Sequence, residues 1–237
     1  MSKNLLIVCL ITAAVFAGGL PEARGVESGL VICIDPGHPS EAGRGTSGKH
    51  ITEIQAAWMV ANRMRAILVD EGETVVMTKT SEEEFVTNRA RADIANNVHA
   101  DLMVRLHCDG GNGIGSGFAV YCPDRQGRAD GAIGPSQEVI ARSQAAGKAF
   151  YAVMLRDLQG ELPARGLHSD TATRIGAKQG ALTGSVFAKG PVVLVEMCVL
   201  TDPGDEAWIS SAKGQQVMAS ALADAAVTAA RKAGRSE

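Results

Sequence analysis

The sequence predicts an α/β sandwich with a mainly parallel sheet, and three observations carry that prediction. Short apolar runs at Val31–Ile34, Val75–Met77, Leu102–Val104 and Val192–Val195 have the length and β-branched content of buried strands. Segments between them place apolar residues at three- and four-residue steps, the period of a helix face. Polar residues gather just past the runs, where open α/β sheets hold their chemistry. The clearest case is Ile34-Asp35-Pro36-Gly37-His38, in which proline and glycine break the strand and a histidine follows at once.

The chain of 237 residues, 46% of them hydrophobic, is long enough for one sizeable core. A net charge of −3 gives no basic footprint for nucleic acid. Aromatic residues are only 4% while alanine and glycine are plentiful, so the helices are expected to pack closely on small side chains.

Residues 1–17 read as a signal peptide, with an uncleaved N-terminal anchor as the alternative. Lys3 precedes the apolar run Leu5–Ile11, and Val15 and Ala17 supply small residues for cleavage near Gly18. Residues 18–28 then read as a flexible lead-in and 29–235 as one folded domain, with no membrane span expected after cleavage. Export implies an oxidising compartment, periplasmic or extracellular. Cys33, Cys108, Cys122 and Cys198 remain, and their four thiols allow three full pairings. No C-x-x-C spacing supports a cysteine zinc site.

Taken in order, a strand is expected at 30–35 and a glycine-rich loop at 39–50. A long helix follows. Thr52 and Gln55 form a capping box, Ile54, Ala57, Ala61, Met64 and Leu68 line one face, and Gly72 ends it. Thr74–Thr78 is a strand, 84–98 a helix, and Asp101–His107 a strand that again ends in histidine. Glycines at 110–117 loosen the chain before a strand at Phe118–Cys122. Residues 123–136 read as a loop, 137–159 as a helix, Pro191–Met197 as a strand and 205–233 as mostly helix.

Four polar residues stand at element ends: His38, Glu53, His107 and Glu196. Each has an ordinary structural explanation alone, Glu53 as a first-turn carboxylate on a helix dipole for example. Together they have another. Two imidazoles and a carboxylate make a catalytic zinc site, with a position left for water whose pKa the metal lowers to about 7. A further carboxylate then serves as general base and acid. The helical H-E-x-x-H spacing is missing, which excludes a thermolysin-type zincin.

Several segments then resemble one family. They are Ile34–His38, Ile51-Thr52-Glu53, Asn88-Arg89, Ile94-Ala95-Asn96, Ala100-Asp101-Leu102, Leu106-His107, Arg165-Gly166-Leu167, and Pro191–Glu196 with Leu200–Pro203. In this order and spacing, over roughly residues 30–230, the chain resembles the zinc-dependent N-acetylmuramoyl-L-alanine amidases of the Amidase_3 type, bacterial cell-wall hydrolases. The resemblance implies a three-layer sandwich, with a mostly parallel, roughly six-stranded sheet and helices on both faces. It implies His38, Glu53 and His107 as ligands of one zinc ion and Glu196 as the catalytic carboxylate. It implies hydrolysis of the amide between N-acetylmuramic acid and L-alanine in peptidoglycan or muropeptides. Arg165 is then a candidate for contact with the anionic substrate, and Asp109 for orienting a ligand.

The departures from the family pattern are Pro39-Ser40-Glu41 after the first histidine, and Cys108 and Cys198 where small residues are usual. These two cysteines are expected either to face each other as a disulfide beside the site or to fill space as buried thiols. No wall-binding repeat is visible, so targeting falls to the catalytic domain or to a partner such as an activator protein. Regulated relatives carry an insertion in the region of 123–164 that can hold a helix covering the site; here the connection is moderate in length and its Gly- and Pro-rich start suggests a loop instead. A zinc peptidase or amidase of the same fold acting on another amide, and an inactive wall-binding module, are the competing readings.

Overall fold

The structure is a computed structural model, described here for residues 29–111 and 115–234. The signal-peptide and lead-in readings lie outside the described residues. The elements run β1 (Val31–Pro36), α1 (Glu53–Asp70), β2 (Thr74–Met77), α2 (Asn88–Asn97), β3 (Leu102–Asp109), β4 (Phe118–Cys122), β5 (Gly127–Ala129), β6 (Ala132–Gly134), α3 (Gln137–Asp157), β7 (Ala164–Ser169), α4 (Arg174–Gln179), α5 (Thr183–Phe187), β8 (Val192–Val199), α6 (Pro203–Ser210) and α7 (Ala212–Gly234).

Six strands make one sheet in the order β2-β1-β3-β8-β4-β7. The first four are mutually parallel; β4 pairs antiparallel with β8, and β7 runs parallel to β4. The central strands β1, β3 and β8 therefore finish at the same edge. Alternation along each strand sorts the side chains. Ile32 and Ile34, Leu102, Val104 and Leu106, and Val193 and Val195 enter the main core with α1, α3 and α7. Cys33, Met103 and Val192 point the other way, where Ala95 of α2 and Ala188 just after α5 meet them.

The small-residue expectation is met in α7. Its Ala219, Ala223, Ala226 and Ala230 are fully or almost fully buried, and the helix packs against both α1 and α3. The capping box at Thr52 and Gln55 is formed. Helix α2 is shorter than expected because the Thr87 side chain caps it by accepting from the Ala90 amide. The expected loop at 123–136 holds the hairpin β5–β6. No strand was expected at β7, an edge strand with Gly166 and without an apolar run. Helix α3 lies on the main core, so the helix of the 123–164 region does not cover the site edge.

One polar cluster is buried within this frame. Asp35, 0% exposed, accepts from Arg91 Nη1 at 2.6 Å, Arg105 Nε at 2.9 Å and Thr78 Oγ1 at 2.6 Å. Burial alone would raise its carboxyl, but the two guanidiniums outweigh burial and hold it well below the usual carboxylate range. Removing one partner from such a cluster strands the other charges in a low-dielectric interior. Asp35→Asn should therefore lower the stability of the metal-free protein by about 3–5 kcal/mol, read from urea unfolding midpoints at constant slope.

Candidate metal centre

Glu53 is the first residue of α1, and its side chain is pinned from several sides. Its Oε2 accepts from the Thr46 amide at 2.7 Å, and its Oε1 from the Cys108 amide at 3.2 Å. The same Oε1 lies 2.8 Å from His107 Nδ1 and 3.4 Å from His38 Nε2. His107 projects from β3, and His38 follows the break after β1. The two rings meet edge to face with centroids 5.1 Å apart. The ligand atoms of these three residues all lie within 4.8 Å of one another.

The surroundings fix the rings. His38 Nδ1 donates to the Gly43 carbonyl at 2.9 Å, which leaves Nε2 free to face Glu53. Two glycines make room. A Cβ on Gly37 would stand 2.6 Å from His107 Cε1 and 2.7 Å from Nδ1, and a Cβ on Gly45 would run into the Glu53 carboxylate and the His38 ring. Two imidazoles and a carboxylate, converging in a cradle that excludes side chains, fit a zinc ion. Burial lowers the basicity of His107, with Glu53 opposing it. Glu53 is raised by burial, but the His107 hydrogen bond and the two histidines bring its carboxyl below the usual value.

Glu196 is the direct register partner of His107 across β3 and β8. Its Oε2 is buried without a hydrogen-bond partner, and it lines the same cleft, about 710 Å³, as the three donors. Burial pushes its carboxyl well up, Glu53 and Asp109 add to this, and Arg165 and Arg105 oppose it. A carboxyl of this kind takes up a proton more readily than an exposed one.

Arg165 and Asp109 are brought to each other rather than to the donors. Arg165 Nη1 donates to Asp109 Oδ2 at 3.0 Å and Nε to the Gly117 carbonyl at 3.1 Å. Asp109 lines the cleft, and its other oxygen accepts from the Gly110 amide. Its carboxylate makes no hydrogen bond to either imidazole among the described residues. After His107 the register slips by one residue, so that Met197 and Cys198 both face the core opposite Cys108. The two cysteines do face each other, with sulfurs 3.7 Å apart, as buried free thiols. His50, His99 and His168 lie outside the metal group.

Sequence reasoning missed Lys79, Arg91 and Arg105. Arg91 and Arg105 line the cleft floor, and all three are 3% exposed or less. The signal was Asp35, a charge at the end of an apolar strand that required buried cations. The far wall of the cleft comes from 173–183, with Thr173, Arg174 and Leu182 among its residues.

Comparison with known proteins assigns the chain to a family. Rv3717 of Mycobacterium tuberculosis, an N-acetylmuramoyl-L-alanine amidase, is 27% identical over 82% of this chain and 84% of its own length. The amidase AmiA of Salmonella typhimurium is 25% identical over 88% of this chain and 78% of its own. Among solved structures, the amidase Ami1 of Mycobacterium smegmatis superposes with a TM-score of 0.65 over 84% of this chain and 95% of that one, at 22% identity, a likeness of fold. The family model described as N-acetylmuramoyl-L-alanine amidase, Amidase_3, matches residues 32–228, and the chain belongs to that family.

Proposed function

We propose that this chain is an exported, zinc-dependent N-acetylmuramoyl-L-alanine amidase. It hydrolyses the amide between the lactyl carbonyl of N-acetylmuramic acid and the L-alanine nitrogen of the stem peptide. One observation carries the reading. The unpartnered carboxyl of Glu196 shares a cleft with a converged His38, Glu53 and His107.

His38, Glu53 and His107 would hold the metal. A zinc ion bound there supplies a Lewis acid for the amide carbonyl and makes hydroxide available at neutral pH. Glu196 has the complementary task. As carboxylate it takes a proton from the attacking water; as carboxylic acid it returns that proton to the departing alanine amine. Its raised pKa suits the second role, and Oε2, buried without another partner, is left to the reaction. The net change is addition of water across one C–N bond, leaving a muramic carboxylate and a free peptide amine. The export reading rests on the sequence of residues 1–17. Among the described residues, no helix is long and apolar enough to cross a membrane.

Digestion of purified muropeptides should release stem peptides that begin with L-alanine. A chelator should abolish this, and Glu196→Ala should reduce it about 10²–10⁴-fold. Cleavage between stem residues would instead assign the site to another amide. His38→Ala, folded by circular dichroism, should retain well under one zinc per chain by atomic absorption; full occupancy would take His38 out of the site.

A further inference from the structure

Lys79 is 2% exposed, and no carboxylate lies within ion-pair distance of it among the described residues. A buried ammonium without a counter-ion is costly and calls for a reason. Its Nζ donates to the His38 carbonyl at 2.6 Å and to the Glu82 carbonyl at 2.7 Å, and lies over the Trp58 ring, 5.7 Å from its centroid.

The segment it holds is unusual. His38 has φ +52°, in the left-handed region that a β-carbon disfavours, so its backbone needs outside support. Arg91 braces the residues on either side. Its Nη1 donates to the Pro36 carbonyl at 2.6 Å and its Nη2 to the Pro39 carbonyl at 3.1 Å. The carbonyls of residues 36, 38 and 39 are thus all taken by buried cations. The fixed backbone aims the His38 ring, whose Nδ1 is in turn set by Gly43.

We infer that Lys79 is a positioning residue for the metal centre. It holds the His38 backbone in its left-handed conformation, so that Nε2 faces Glu53 and His107 before any ion arrives. Lys79 touches neither metal nor substrate in this account; it acts through His38. Arg91 is less open to test, because it also secures Asp35.

The inference rests on the zinc reading, and its experiment keeps the two apart. Zinc affinity is measured on wild type and Lys79→Met by competition with a chromophoric chelator, beside the urea midpoint of each metal-free protein. Lys79→Met should bind zinc about 10–100-fold more weakly, the usual cost of losing a group that orients a ligand. Lys79→Arg, which keeps the charge and the donors, should restore most of the affinity. A residue with a structural role alone would lower the urea midpoint and leave the zinc affinity of the folded protein within twofold, and that result overturns the inference. Should the methionine variant not fold, Lys79→Gln carries the comparison, and unchanged affinity there overturns it equally. Wild type that takes up no zinc overturns both readings.

Discussion

The carboxylate of Asp35 is the group on which the site depends. It sits at the end of a central strand with no access to water, and everything that neutralises it belongs to a different element. Arg91 comes from α2, Arg105 from β3 and Thr78 from the residue after β2. Buried charges seldom repay their desolvation through stability alone. This cluster gives placement. It ties α2 and two neighbouring strands to the end of β1, one turn of chain before His38, and Arg91 extends the tie to the carbonyls that flank that histidine.

The rest of the site follows from the topology. Parallel strands β1, β3 and β8 end together, so residues 38, 107 and 196, far apart in the chain, meet at one edge. The long loop after β1 then returns to start α1, and its Thr46 receives Glu53 through a reciprocal pair of bonds, amide to carboxylate and amide to carbonyl. The site carries three carboxylates close together, Glu53, Asp109 and Glu196. Their environments separate them: Glu53 is drawn down by imidazoles, Asp109 is spent on Arg165, and Glu196 is left alone and pushed up.

Much of this was legible in the sequence, for physical reasons. The β1, β3 and β8 runs are continuous and apolar because both faces of these strands are covered, and α1 announces itself through Thr52, Gln55 and its apolar face. The four residues at the centre could be named because polar groups at strand ends are few. Edge and surface elements were hidden. Strand β7 alternates polar and small residues, the short helices α4 and α5 carry no period, and the β5–β6 hairpin lacks a strong apolar pattern. Partners at long range were hidden too. Nothing local in Arg105 or Lys79 says that one meets Asp35 and the other the His38 carbonyl, since those contacts exist only after the sheet has formed. Arg165 shows the same limit: nothing local says that its Nη1 meets Asp109 while its Nη2 is buried without a hydrogen-bond partner among the described residues.

In the proposed centre one zinc ion is held by two imidazoles and one carboxylate beside Glu196, with the nearby thiols of Cys108 and Cys198 outside its coordination. X-ray absorption at the zinc edge of the zinc-loaded protein tests this most directly. The account predicts only nitrogen and oxygen neighbours at about 2.0–2.2 Å, with the outer scattering of two imidazole rings. A sulfur neighbour at about 2.3 Å, or the pattern of fewer than two imidazoles, would contradict it.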